Sequence, residues 1–158
     1  MSSTLRTTRL QLTLRSLEAT KAWVNSLPPE VQREISPVWL ARLNNATEPT
    51  PWICGFDLVR VSDRISVGSC AFKSPPENGV VEIAYGIDDE HQRQGYATEA
   101  AIALAQFALQ TDGVKTVCAH TKEDNFASIR VLEKAGFQGK GTVIDPEDGE
   151  VLRFEKSL

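Results

Sequence analysis

A chain of 158 residues, 41% apolar and 24% charged, is long enough for one domain (1–158) with a full core and too short for two comfortable ones. Its formal net charge of −4 argues against a nucleic-acid binder held by phosphate contacts, which needs a basic face. Residues 1–15 hold no apolar run of signal-peptide or membrane length, and the three cysteines, Cys54, Cys70 and Cys118, are widely spaced with no Cys-x-x-Cys pair. A cytoplasmic protein with free thiols, no metal centre and no membrane association is therefore expected.

Residues 8–15 alternate, with Leu10, Leu12 and Leu14 on one face and Arg9, Gln11, Thr13 and Arg15 on the other, the pattern of a half-buried strand. Residues 18–26 read as a short helix stopped by Pro28 and Pro29. In 30–44, Val31, Ile35, Val38, Trp39 and Leu43 form an apolar helical stripe, and Pro37 inside it predicts a kink or two shorter helices. Trp23, Trp39 and Trp52 read as core, with Trp39 also a candidate wall of a substrate site. Residues 52–61 and 64–73 are predicted strands around Ser62-Asp63. A third strand starts at Val80. A helix over 97–110 follows, with Gly113 as its expected C-cap. A strand over 114–121, a helix over 125–135 closed by Gly136, and strands over 137–144 and 150–156 around a 145–149 loop complete the chain. Strands alternating with helices in the middle and hairpins at the ends predict an α/β fold, a mixed α+β sheet.

The strongest functional signal lies in 80–110. Val80, Val81, Ile83, Tyr85 and Ile87 suit a buried strand, and an Ala- and Leu-rich helix follows. Between them runs the polar loop Gln92-Arg93-Gln94-Gly95-Tyr96-Ala97. The first amides of a helix lack internal partners and carry the positive end of its dipole, and Gly95 lets a ligand approach the backbone. A phosphate-bearing ligand is expected there. The chain has no P-loop run, and only one glycine lies in this loop, so neither a nucleotide P-loop nor a dinucleotide fingerprint is present.

Gln92, two residues, Gly95, one residue and Ala97 resemble the pyrophosphate loop of the GNAT superfamily of acyl-CoA-dependent N-acyltransferases. Thr98-Glu99-Ala100 adds a likeness to its ribosomal-protein N-terminal acetyltransferase branch. Residues 125–137 resemble the second GNAT segment through Asn125, Ser128, Val131, Leu132, Lys134, Gly136 and Phe137. The resemblance implies the GNAT fold, a mostly antiparallel twisted sheet with splayed middle strands flanked by helices. It implies acetyl-CoA as donor and a primary amine as acceptor, either a protein N-terminal α-amine or a small molecule, with the chain a monomer or homodimer. Gln92, Arg93, Gln94, Gly95, Tyr96, Ala97 and Thr98 would hold the pyrophosphate, mostly by backbone N–H. The backbones of Tyr85 and Ile87 would pair with the pantetheine arm, and Asn125 would cap its helix and touch that arm.

Acyl transfer from a thioester needs a deprotonated amine, a stabilised oxyanion and a proton for the thiolate. Glu82 stands alone among apolar neighbours, on the strand face shared by Ala84 and Gly86. Base, cationic-amine site and strand-end carboxylate that pairs with an arginine or meets solvent are its open readings. Many relatives carry a tyrosine acid where this chain has Leu132. Ser128, one turn earlier, is the candidate acid, or else a serine stabilising its own helix. His120 is a base, a substrate contact or a structural histidine, with no carboxylate placed by sequence to orient it. Covalent catalysis through Cys118 has no visible activating group. The second reading is an acyl-CoA-binding sensor with no turnover.

Overall fold

The computed structural model describes residues 4–146 and 148–157; the first three residues of the N-terminal stretch, one residue of the predicted 145–149 loop and the last residue lie outside them. The described elements are β1 (Thr4–Arg6), β2 (Leu10–Leu14), α1 (Leu17–Ser26), α2 (Pro29–Gln32), α3 (Pro37–Asn45), β3 (Phe56–Arg60), β4 (Ser66–Phe72) and β5 (Val80–Ile87). A 3-10 turn over Asp89–His91 follows, then α4 (Tyr96–Leu109), β6 (Thr116–Thr121), α5 (Phe126–Lys134), β7 (Gln138–Asp145) and β8 (Gly149–Ser157). They form an eight-stranded sheet in the order β1-β2-β3-β4-β5-β6-β8-β7, with every neighbouring pair antiparallel except β5 and β6. No helix among the described residues is long and apolar enough to cross a membrane.

Local chemistry explains the boundaries. Strand β1 escaped the sequence reading because three residues are too few to show a period. The expected helix over 30–44 is two helices. Ser36 accepts a hydrogen bond from the Trp39 N–H (3.3 Å), and Pro37 takes the first helical position, where a missing N–H costs nothing. Strand β3 begins later than expected, at Phe56, because the N–H groups of Ile53 and Cys54 turn back to the Thr50 carbonyl. Gly113 is not a helix cap: α4 ends at Leu109 and caps on Gln110, and Gly113 (φ +86°) serves the turn into β6. Gly136 does cap α5. Its φ of +91° lets its own N–H reach the Glu133 carbonyl (3.1 Å) and the Phe137 N–H reach that of Leu132 (2.9 Å).

The core lies between the sheet and α4. Ala100, Ala101, Leu104, Ala105 and Ala108 are fully buried, and the four small alanines let the helix lie close over Val81, Ile83 and Val117. Trp52 packs on Phe72 and Phe107, with ring centroids at 4.8 and 5.7 Å. Trp23 corrects the reading of the tryptophans: it is 44% exposed.

Candidate functional site

The sheet opens where β5 meets β6. The two strands pair only from Val80 with Thr116 to Glu82 with Cys118; beyond that β6 pairs only with β8. Along the β4–β5 ladder the Lys73 N–H donates to the Glu82 carbonyl and the Asp88 N–H to the Val67 carbonyl, each at 2.9 Å. Hydrogen-bonded rungs alternate in an antiparallel pair, so Ile83, Tyr85 and Ile87 turn their N–H and C=O groups away from β4, toward the splay. That edge can take an extended ligand as a strand. The Ile87 carbonyl already accepts from the Gln92 side chain at 3.0 Å, which leaves the backbone of Tyr85 as the more open of the two expected contacts.

The loop after β5 delivers a helix N-terminus to the same place. Gly95 is the N-cap of α4 with φ +86° and no side-chain cap, so ligand atoms can meet the first amides of Tyr96, Ala97 and Thr98. A Cβ at Gly95 would lie 3.1 Å from the Arg9 guanidinium. Gln92, Arg93 and Gln94 are exposed, and the Gln92 amide closes the loop on Ile87 and Asp89. The Tyr96 ring is buried under Arg9, 4.5 Å from its centroid, so only its backbone faces the loop. Glu99 ties the first turn of α4 to the turn between β1 and β2. It accepts from the Thr7 hydroxyl (2.6 Å) and the Arg9 N–H (3.0 Å) and pairs with the Arg9 guanidinium. Burial works to raise its carboxyl, but these donors outweigh it and hold Glu99 below the usual carboxylate range.

Helix α5 brings a second N-terminus to the splay. Asn125 accepts from the Ser128 N–H at 3.1 Å, as a capping residue does. The Ser128 hydroxyl meets the Tyr85 hydroxyl at 2.9 Å, a partnership between strand and helix that sequence spacing does not show. Burial pushes the Tyr85 phenol up, partly offset by Ser128, so it stays protonated at neutral pH. Leu132 is fully buried in the core.

Glu82 is the centre of a polar chain. Its Oε2 lies 3.0 Å from His120 Nδ1 and 3.4 Å from Lys73 Nζ. The Arg153 guanidinium donates to His120 Nε2 (3.3 Å) and to the Glu155 carboxylate (2.7 Å). Arginine can only donate, so Nε2 is the accepting nitrogen and Nδ1–H points at Glu82. The histidine therefore does have an orienting carboxylate, contrary to the expectation from sequence. The parallel register sets Glu82 beside Cys118, and His120 follows two residues later on the same face. Of the open readings of Glu82, pairing with an arginine is replaced by pairing with His120 and Lys73. Asp145 also brings a ligand atom within 4.8 Å of those of Glu82 and His120, a spacing a divalent ion could bridge, but Lys73 and Arg153 already supply positive charge beside Glu82 and His120.

Two clefts meet at this chain. One, of about 380 Å³, follows the splay and is lined by Tyr85, His120, Asn125 and Ser128. The other, of about 620 Å³, lies on the opposite face of β5, floored by Ala71, Ala84 and Gly86 and walled by α1 and α3. Glu82 and Tyr85 line both.

Residues 5–138 match the family model described as the acetyltransferase (GNAT) domain. The chain belongs to the GNAT acetyltransferase family. It is 37% identical over 98 residues to the Bacillus subtilis protein named uncharacterized N-acetyltransferase YjdG, covering 60% of this chain and 55% of that one. The chain thus spans about half the length of the curated relatives it matches. Among solved structures it superposes on RimL, the ribosomal L7/L12 alpha-N-protein acetyltransferase in complex with coenzyme A, with a TM-score of 0.72, 15% identity and 98% of each chain covered. It superposes on the aminoglycoside acetyltransferase AAC(6′)-Ib in complex with coenzyme A and kanamycin with a TM-score of 0.67, 18% identity and 94% of each chain covered.

Within this GNAT fold the residues expected from sequence fall into two groups. Gly95, Ala97, Thr98, Asn125 and Ser128 stand at the two helix N-termini, and Tyr85 stands on the strand between them. Glu82 stands on the other face of that strand, joined by His120, Lys73 and Arg153, which sequence reasoning did not assemble. Burial pushes the Cys118 thiol up to about 11, which leaves it a poor nucleophile at neutral pH.

Proposed function

We propose that this GNAT domain transfers an acetyl group from acetyl-CoA to a primary amine by direct attack in a ternary complex. The observation that carries the reading is the meeting of two clefts at Glu82 and Tyr85, one along an open strand edge and one on the opposite face. The fit to the donor rests on that edge and on the Gly95 cradle, where a side chain would fill the space against Arg9. The amides of Gly95, Tyr96, Ala97 and Thr98 would hold the pyrophosphate, with Gln92, Arg93 and Gln94 shaping the loop. The Tyr85 backbone and Asn125 would hold the pantetheine arm. When bound, acetyl-CoA supplies an activated acyl carbon and a thiolate leaving group.

The chain's own groups do the rest. Glu82, held by Nδ1–H of His120, takes the proton from the ammonium of the acceptor, so that the free amine can attack. Arg153 fixes the His120 tautomer and Glu155 fixes Arg153, making these three positioning residues for Glu82. A backbone N–H on the splayed edge of β5 supports the oxyanion. As the C–S bond breaks, Ser128 gives the departing sulfur a proton and takes one from the Tyr85 hydroxyl behind it, and the proton that the nitrogen sheds in becoming an amide restores Tyr85. This arrangement replaces the tyrosine that Leu132 does not provide. The acceptor is a protein N-terminal α-amine or a small-molecule amine, and the three buried free cysteines suit a reducing cytoplasm.

Titration calorimetry with acetyl-CoA, followed by a thiol-release assay over a panel of amines and peptides, tests the reading. Micromolar binding with release is expected. Binding without release from any acceptor would support the sensor reading, which the buried Leu132 favours. Failure to bind would remove the donor assignment altogether.

A further inference from the structure

We propose that the acceptor is a primary amine carried on one flat or branched apolar body, with no second cation, and not a polyamine or an aminoglycoside. The inference rests on the acetyl transfer proposed above and names the acceptor of that same site.

The larger cleft is divided along its length. At one rung Lys73 stands opposite Glu82, with Asp145 close by, and at the other end the Arg15 guanidinium lies over the Trp23 ring, 6.0 Å from its centroid. Further along, the floor is Ala71, Ala84 and Gly86, none of which projects a long side chain. Over that floor stand apolar walls. Trp39 is held by the hydrogen bond from its indole N–H to the Ile53 carbonyl (3.0 Å), and Ile35 and Trp23 extend the same surface. Trp23 is 44% exposed, so apolar area is left for a ligand to cover. A slot of small residues faced by a fixed indole takes a ring or branched chain by removing it from water, and it offers little to a ligand covered in hydroxyls.

Charge points the same way. The carboxylates of Glu34, Glu82 and Asp145 line the cleft against the cations of Arg15 and Lys73. The carboxylates of Glu82 and Asp145 offer one ammonium a seat beside Lys73. A second positive charge on the acceptor would approach Arg15, which is held on Asp57 at 2.8 Å, or Lys73. Two sources present this chemistry: a free arylalkylamine, and a polypeptide whose first residue is large and apolar.

The test compares kcat/KM for phenethylamine, tetrapeptides beginning with Phe and with Ser, spermidine and kanamycin, with acetyl-CoA affinity measured separately. Phenethylamine or the Phe peptide is expected to exceed spermidine and kanamycin by at least about tenfold. Which of the two leads identifies the source. Trp39→Ala should lower kcat/KM for the apolar acceptor about tenfold with acetyl-CoA affinity unchanged. Trp23→Ala, at a position 44% exposed, should move it in the same direction, with the melting temperature followed alongside. Equal or better turnover of spermidine or kanamycin overturns the inference, and so does an unchanged preference in both tryptophan variants. Acetyl-CoA binding with no amine turned over removes the transfer reading itself, and the acceptor assignment with it.

Discussion

The cleft along the β5–β6 splay and the cleft on the opposite face of β5 meet at Lys73, Glu82, Ala84 and Tyr85, yet they are made of different material. The first runs along backbone, a strand edge released from its neighbour, and beyond it stand the amides at the start of α4 and a glycine at positive φ. The second is built from side chains drawn from β4, β5 and the segment from α1 to α3, with Asp145 of β7 at one end. Backbone sites depend on where elements start and stop, so few residue identities matter. Side-chain sites depend on pairing register, so a single truncation is felt at once.

The largest expected effect belongs to the side-chain half. Glu82→Gln should lower kcat by about 10²–10⁴-fold, the usual contribution of a positioned base, while calorimetry finds acetyl-CoA affinity unchanged. A loss of both together would erase the division between the halves. Next comes the backbone half. Gly95→Trp should weaken acetyl-CoA at least about tenfold, because it fills the cradle and strains a left-handed position. Unchanged affinity would move the donor site away from α4.

The positioning chain sharpens the comparison further. His120→Ala removes the donor to Glu82 and should cut kcat by about ten- to a hundredfold. His120→Asn retains an N–H near the Nδ1 position and should recover most of that loss. Equal loss in both, with acceptor KM alone altered, would make His120 a wall of the cleft and not a support for Glu82. The smallest effect concerns the anchor between α4 and the β1–β2 turn. Glu99 is held below the usual carboxylate range when folded, so its contribution to stability is present above its unfolded pKa and is lost as pH falls through the lower folded value. Melting curves taken from about pH 7 down to about pH 3 should show Glu99→Gln less stable than the parent near neutrality, with the gap closing on acidification. A gap that widens in acid would contradict the assignment of Glu99 as an anchor that works ionised.

Amino-acid order alone determined the mixed sheet, the glycine-bearing loop that opens α4 and the α5 cap, because period, glycine placement and capping residues act over a few neighbours. The break at Ser36-Pro37 was legible for the same reason, since proline acts on its own turn. The partnerships Glu82–His120–Arg153 and Tyr85–Ser128 were decided by the tertiary structure. His120 meets Glu82 only because β6 runs parallel to β5 in the register that sets Cys118 beside Glu82. Arg153 reaches His120 only because β8 pairs antiparallel on the far side of β6. Tyr85 reaches Ser128 because β5 and β6 part and let α5 approach. Pairing register between strands distant in sequence is set by how the faces bury against α4, a property of the whole sheet that no local window contains.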